Sequence, residues 1–209
     1  MLGLLGNVNM IVDIGANRGQ FALAARHAFP RAVIHSFEPL PEPAKQFRKV
    51  FAGDPDVHLH ESAVGELSGE TLIHVSARDD SSSLLRITDT QSRLFPGTQE
   101  LGTEKIRIGR LDELMRETKR TMPALLKVDV QGYELQALRG CESLVSSFNW
   151  IYVECSFLEL YAGQAFADEV IAWLREREFC LVGCYNMTYG GGGRAVQADF
   201  LFDKTKKIA

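Results

Sequence analysis

The chain has 209 residues, 45% of them hydrophobic and 24% charged, with a formal net charge of −4. That balance suits one ordinary globular domain, long enough to bury a core without a disulfide or metal staple. Beyond the short run at residues 204–207 no dense Lys/Arg patch exists, which argues against nucleic acid as a partner. No apolar run is long enough to span a membrane, and Gly3, Gly6, Asn7 and Asn9 interrupt the N-terminal apolar residues as no secretory signal would. A cytoplasmic protein with no membrane partner is expected. Cys141, Cys155, Cys180 and Cys184 form no CxxC pair and lack a matching His/Cys pair for zinc, so they read as buried free thiols in a reducing compartment.

Residues 10–14 (MIVDI) are a short buried strand ending in a glycine turn. Phe21, Ala24, Ala25, Ala28 and Phe29 then recur at helical spacing until Pro30 stops the helix. A second strand over 32–37 leads to a helix opened by Pro41, with Ala44, Phe47 and Phe51 on one face. A third strand spans 57–64. This strand–helix alternation predicts a parallel sheet with helices on both faces. Strands at 71–75 and 105–108 flank a polar stretch at 78–104, too long for a plain connector and expected to be a lid or disordered. A short helix over 111–118 follows.

The alternation resumes with a strand at 124–130 and a helix carrying Leu135 and Leu138, ended by Gly140. Residues 150–155 are another strand. Phe166, Val170, Trp173 and Leu174 form a helical stripe with Asp168 and Glu169 in the first turn and Arg175 and Arg177 in the last, as the helix dipole favours. Strands at 180–185 and 198–202 close the chain around the glycine run 190–193. The expected organisation is one domain over 1–209 with a loop-rich insertion at about 71–109.

The strongest local signal is Val12-Asp13-Ile14-Gly15-Ala16-Asn17-Arg18-Gly19, set between a strand and a helix at the edge where open α/β sheets bind ligands. Gly15 and Gly19 allow close backbone approach, and Asn17 tolerates the left-handed region. Asp13 ends the strand with a carboxylate expected to face the cleft and suited to an ammonium. A dinucleotide fingerprint would need glycine where Asn17 and Gln20 stand. Glu38 follows the second strand, where an acid can accept both ribose hydroxyls of either a nicotinamide dinucleotide or S-adenosylmethionine. Asp129 ends a second buried strand and Glu134 opens the next helix, both expected at the same cleft. Lys127, a charge within an apolar strand, needs a partner or an exit to solvent.

VDIGANRGQF, FEP, SAVG, SSSLL, RLDEL, KVDVQGYE and YVECSF occur in that order over residues 11–159. Together they resemble the FkbM-type methyltransferases. The resemblance implies a Rossmann-like class I methyltransferase fold of α/β class, with a mostly parallel seven-stranded sheet, helices on both faces and a small inserted β segment. It implies S-adenosyl-L-methionine as cofactor, held by Asp13, Gly15, Asn17, Gly19, Glu38, Ser62, Ala63 and Asp129. It implies O-methylation of a small-molecule or glycan hydroxyl, on a sugar or a polyketide-type natural product. Asp129 and Glu134 are the candidate catalytic acids, and Ser81, Ser82 and Ser83 the candidate substrate loop. The family usually carries an acid where this chain has Gln131, which puts any catalytic or metal role of that acid in doubt. The chain also begins almost at the first strand, without the N-terminal helices of many members, as a minimal domain or a truncated chain would.

No residue set nominates a metal, and whether a divalent metal takes part is left open. His58 and His60 alternate on one strand without fitting acids, while His27, His35 and His74 are isolated. Tyr185, Tyr189 and the 190–193 glycines read as a hairpin connection or a substrate loop. Two other functions stay open: a nicotinamide-dependent oxidoreductase, and a non-catalytic module that binds S-adenosylmethionine.

Overall fold

The computed structural model describes residues 1–204. Residues 205–207 of the short basic run lie outside the described residues. In chain order the strands are β1 (Met10–Ile14), β2 (Val33–Phe37), β3 (Val57–His60), β4 (Ala63–Val64), β5 (Gly69–Ser76), β6 (Glu100–Gly109), β7 (Ala124–Val128), β8 (Trp150–Ser156), β9 (Cys180–Tyr189) and β10 (Ala195–Asp203). The helices are α1 (Gln20–Ala28), α2 (Pro41–Val50), α3 (Asp89–Leu94), α4 (Leu111–Leu114), α5 (Glu134–Gly140), α6 (Glu142–Val145) and α7 (Ala167–Arg175).

Seven strands form the main sheet in the order β3-β2-β1-β7-β8-β10-β9. The β3-β2-β1-β7-β8 pairs are parallel, and β10 runs antiparallel between β8 and β9. The chain winds outward from β1 to β3 and returns to β7 on the other side. That reversal opens a crevice at the carboxyl ends of β1 and β7, where such sheets bind ligands.

Every residue of β1 and β7 is buried, because helices cover both faces. The two-residue period divides them between two cores. Met10, Val12 and Ile14 pack with Leu126, Val128, Ile151 and Val153 on the face covered by α5 and α7. Ile11 and Leu125 pack with Ala22, Ala25 and Phe47 on the face covered by α1 and α2. The same period puts Asp13, Lys127 and Tyr152 on the α1 face, next to one another in register.

The expected third strand is two elements. His60 ends β3 in the main sheet, and Ala63–Val64 crosses to pair with β6 in a three-stranded sheet ordered β4-β6-β5. The polar 78–104 stretch is shorter as a loop than expected, since β6 begins at Glu100 and α3 lies within it. Thr88 caps α3, accepting a hydrogen bond from the Gln91 N–H, and Ile87 bridges to Tyr161. The helix expected over 111–118 stops at Leu114, while β9 and β10 are longer than expected and join as a hairpin. Cys141 and Cys155 are buried thiols as expected, but Cys180 is half-buried and Cys184 exposed. Among the described residues no helix is long and apolar enough to cross a membrane.

Gly140 closes α5 by contact rather than by a left-handed turn. A Cβ there would lie 2.3 Å from the carbonyl oxygen of Gly65, in the segment that follows β4. Helix propensity alone would make Gly140→Ala stabilising by about 1 kcal/mol. The backbone contact reverses the sign, so the variant is expected to lose about 1–3 kcal/mol as an overpacked site. A urea midpoint at or above that of the unmodified chain would refute this contact argument.

Candidate active site

A cavity of about 670 Å³ opens at the carboxyl edge of β1, β2, β7 and β8, with Asp199 of β10 in its wall. Its size is that of pockets that enclose a cofactor-sized ligand.

The turn after β1 forms one wall. Gly15 has φ of 79°, and a Cβ there would come within 1.8 Å of the Asp129 carbonyl oxygen, so β1 and β7 can close on each other only over a glycine. The N–H groups of Gly15 and Ala16 donate to the Phe37 carbonyl at 3.1 and 3.0 Å, tying the turn to the end of β2. Asn17 adopts φ of 48°, and its N–H donates to Glu38 Oε2 at 2.9 Å. Glu38 Oε1 accepts from the Leu40 N–H at 2.8 Å. Glu38 thus lines the cavity with its carboxylate plane fixed and a lone pair free on each oxygen. Burial lifts its pKa to about 7, against the two backbone N–H groups that favour the ionised form.

Gly19 does not line the cavity. It caps α1 at φ of 94°, and its missing Cβ makes room for the rings of Phe51 and Phe47. Asp13 is also corrected. It is fully buried and absent from the cavity wall; its carboxylate meets an internal cation, Lys127 Nζ, at 3.1 Å. The two residues sit side by side in the β1–β7 register. Lys127 Nζ also donates to the Gly15 carbonyl at 2.7 Å, lies 3.7 Å from Asp129 Oδ2, and is covered by the Phe21 ring at 5.6 Å. Burial works against the ammonium, but Asp13 and Asp129 outweigh it and hold the Lys127 pKa above its usual value.

The turn after β7 forms the opposite wall. Asp129 lines the cavity and is partly exposed to it. Its Oδ1 accepts from Gln131 Nε2 at 2.8 Å, and the same nitrogen donates to Glu154 Oε2 at 2.9 Å. Gln131 holds φ of 56° and its Oε1 accepts from the Tyr161 hydroxyl at 2.8 Å. Glu134 is turned away. Its Oε1 accepts from the N–H groups of Val130 and Gly132 at 3.1 and 3.0 Å, it does not line the cavity, and burial lifts its pKa to about 7. Glu134 therefore braces the turn that carries Asp129 and Gln131, and makes no direct approach to the cleft.

Of the remaining candidates, Ala63 lines the cavity while Ser62 is buried beside it, donating to the Ala63 carbonyl. Ser82 and Ser83 line the cavity; Ser81 lies beneath them with its carbonyl 3.1 Å from the Tyr161 hydroxyl. Sequence reasoning missed Glu154, Tyr152, Asn186 and Asp199, which all line the cavity. Asp199 Oδ2 accepts from the Tyr152 hydroxyl at 2.8 Å and from Asn186 Nδ2 at 2.6 Å. The available signal was a charge inside the apolar strand WIYVEC, the same signal that marked Lys127. His58 and His60 stack against His35 and Phe37 on β2. Among the described residues no group of three or more His, Cys, Asp or Glu is placed to hold a metal ion.

This strand order, with a cavity at the β1–β7 crevice, defines the class I methyltransferase fold. Precorrin-6y C5,15-methyltransferase from Geobacter metallireducens superposes with a TM-score of 0.53 at 11% identity, over 97% of this chain and 84% of that one. An rRNA methylase from Streptococcus thermophilus gives 0.51 at 11% identity, over 97% and 91%. The chain belongs to the Methyltransferase FkbM domain family, which matches residues 13–181. The 2-O-methyltransferase NoeI of Sinorhizobium fredii is 29% identical over 74% of this chain and 66% of its own length. Methyltransferase 1 of Beauveria bassiana is 25% identical over 64% and 59%. The 31-O-demethyl-FK506 methyltransferase FkbM of Streptomyces tacrolimicus is 26% identical over 88% and 77%. The chain thus spans less than two thirds of the length of the first two of these relatives.

Two substitutions separate support from contact. Lys127→Met should cost about 3–5 kcal/mol, because it leaves Asp13 buried and unpaired. Adding Asp13→Asn should recover a good part of that loss. Denaturant midpoints in which the double variant is no better than Lys127→Met would show that the pair is not the unit described. Glu134→Gln keeps the Oε1 acceptor and should fold with a near-normal midpoint, whereas Glu134→Ala frees two buried N–H groups and should lose about 1–3 kcal/mol.

Proposed function

We propose that this chain binds S-adenosyl-L-methionine and transfers its methyl group to a hydroxyl of a sugar, glycan or polyketide-type small molecule. The observation that carries the reading is Glu38, a buried carboxylate on the cavity wall, pinned by two backbone N–H groups with lone pairs left for a vicinal diol. The names of NoeI and of the Streptomyces FkbM protein both specify transfer to oxygen, which supports an alcohol acceptor.

The residues on the wall fit the cofactor. Glu38 suits the ribose hydroxyls, and the Gly15–Asn17 backbone offers a close approach beside it. Ile14, Phe37, Ala63, Val128 and Val130 supply apolar surface for a flat ring. Asp129 is the cavity carboxylate between this region and the β8–β10 wall, placed to touch cofactor or acceptor. Ser82 and Ser83 cover the cavity from the strap after β5. The bound cofactor supplies an activated methyl group on a sulfonium. The protein's tasks are to align an acceptor oxygen with it, to exclude water, and to take up the acceptor's proton.

The test is incubation with isotopically labelled S-adenosylmethionine and a panel of methyl glycosides, oligosaccharides and macrolide alcohols. Label is expected on an oxygen of at least one alcohol. Label found on nitrogen or carbon would overturn the acceptor class, and calorimetry showing no S-adenosylhomocysteine binding would overturn the reading as a whole. Glu38→Ala should weaken that binding by about 1.5–3 kcal/mol. A pH dependence follows from the raised Glu38 pKa of about 7. The diol donates to the ionised carboxylate, so affinity should rise with pH through about 7 and level off above it, and Glu38→Gln should flatten the curve. In the ligand-free chain the sign is opposite. The raised pKa contributes stability below the unfolded value, and that contribution is lost as pH rises through about 7.

A further inference from the structure

Glu154 stands near the carboxyl end of β8 and faces the cavity beside Asp129. A carboxylate inside an apolar strand is costly unless it is paired or hydrogen-bonded. Its partners here are two side-chain amides and not a cation. Gln131 Nε2 donates to Oε2 at 2.9 Å and Gln197 Nε2 donates to Oε1 at 2.8 Å. Each oxygen keeps one lone pair, and the carboxylate plane is fixed from both sides.

We propose that Glu154 takes the proton of the acceptor hydroxyl, with Gln131 as the positioning residue that sets its oxygen; this rests on the methyl-transfer reading above. In the step, the bond from acceptor oxygen to methyl carbon forms as the carbon–sulfur bond breaks. The electron pair of that bond stays on sulfur, and the hydroxyl proton passes to a Glu154 oxygen. Sulfonium and ionised carboxylate become thioether and carboxylic acid, so charge balances without a further reagent.

Three features favour Glu154 over its neighbours. Asp129 lies 3.7 Å from the Lys127 ammonium and so has a cation beside it. Asp199 is engaged by the Tyr152 hydroxyl and the Asn186 amide. Glu134 is spent on two backbone N–H groups outside the cavity. The groups facing Glu154 are Asp129 and Lys127 from the β7 side, Glu134 from α5, Asp199 from β10, and Tyr161 from the loop before α7. Burial first, and then the three acids, lift its pKa well above the ordinary carboxylate range, with only Lys127 opposing. A base lifted in this way is stronger toward a hydroxyl once ionised.

Gln131 supplies the geometry. Its one nitrogen reaches both Asp129 and Glu154, and its own oxygen is held by Tyr161. An acid at this position would have no hydrogen to share with the pair while ionised, and would add a third negative charge.

The experiment combines two readouts. In the first, unmodified chain and Glu154→Gln are assayed for label transfer to the methyl glycosides, with S-adenosylhomocysteine affinity measured by calorimetry on the same samples. Glu154→Gln is expected to keep that affinity within about twofold while kcat falls by about 10²–10⁴-fold. The acidic limb of the unmodified pH profile should lie above the ordinary carboxylate range and be absent from the residual activity. Gln131→Leu should move that limb and lower kcat with little change in cofactor affinity. A near-normal kcat in Glu154→Gln would overturn the proposal. In the second, Glu154 is titrated by carboxyl carbon NMR in the unmodified chain bound to S-adenosylhomocysteine, which needs neither an acceptor nor a variant that folds. Ionisation below about pH 9 supports a base at this position, and a Glu154 that stays protonated beyond that overturns it. A chain that binds S-adenosylhomocysteine but labels no alcohol defeats the alcohol reading alone, and the titration then decides on Glu154.

Discussion

The Lys127 ammonium sits where β1 and β7 separate, and it holds that separation in shape. It takes Asp13 from the neighbouring strand, the Gly15 carbonyl from the turn above it, and the near edge of Asp129 from its own strand end. A buried ion pair in an apolar sheet is seldom a net source of stability. What this one fixes is the relative position of two loops that emerge from different strands. The Gly15 turn and the Asp129 turn are joined through one nitrogen, and the cavity is the space between them. Phe21 of α1 closes over the ammonium and stacks on Tyr152, so the helix that follows the Gly15 turn also reaches the β8 side of the cavity.

Around that centre, similar carboxylates are given different work by their surroundings, as in other acid–base sites. Asp13 has a cation and no access to the cavity. Glu38 has backbone donors and access, which suits a neutral diol. Glu134 has backbone donors and no access, which suits a structural brace. Asp129 has access and a partly compensating cation. Glu154 has access, amide donors and no pairing cation, and burial lifts its pKa well above the ordinary carboxylate range. Their residue types are nearly interchangeable; strand register and the direction of each turn assign the roles.

Much of this was readable from the chain itself. The β1 turn, the switch to β7 and the inserted β segment follow from apolar runs, glycine placement and the ordered motifs. Lys127 was marked as needing a partner because charge inside an apolar strand is costly, and Asp13 is that partner. The direction of Asp13 was misread because a residue at a strand end can face either core, and the choice depends on which face α1 covers. Glu134 is expected at the cleft because it opens the helix after β7, whereas Gln131 and Gly132 both adopt positive φ and the Glu134 carboxylate accepts from the N–H groups of Val130 and Gly132 under the turn. Glu154 and Asp199 lie on strands far apart in sequence that meet only because β10 inserts antiparallel beside β8, in a register that sets Asp199 opposite Glu154. Nothing local to either segment encodes that pairing. Gly140 looked like a helix stop, and its actual constraint is the backbone of Gly65, a neighbour seventy-five positions earlier in the chain.

The neutral side chain at position 131 then has a physical reason that residue type alone did not disclose. Two carboxylates side by side at the mouth of a low-dielectric cavity repel each other unless something is set between them. A cation would neutralise both and lower their basicity. An acid would raise the repulsion further. An amide shares two hydrogens with the pair and fixes their spacing. Tyr161 then fixes the amide itself, and its hydroxyl also lies within hydrogen-bond distance of the Ser81 carbonyl, so the carboxylate pair and the strap over the cavity are set by one phenol.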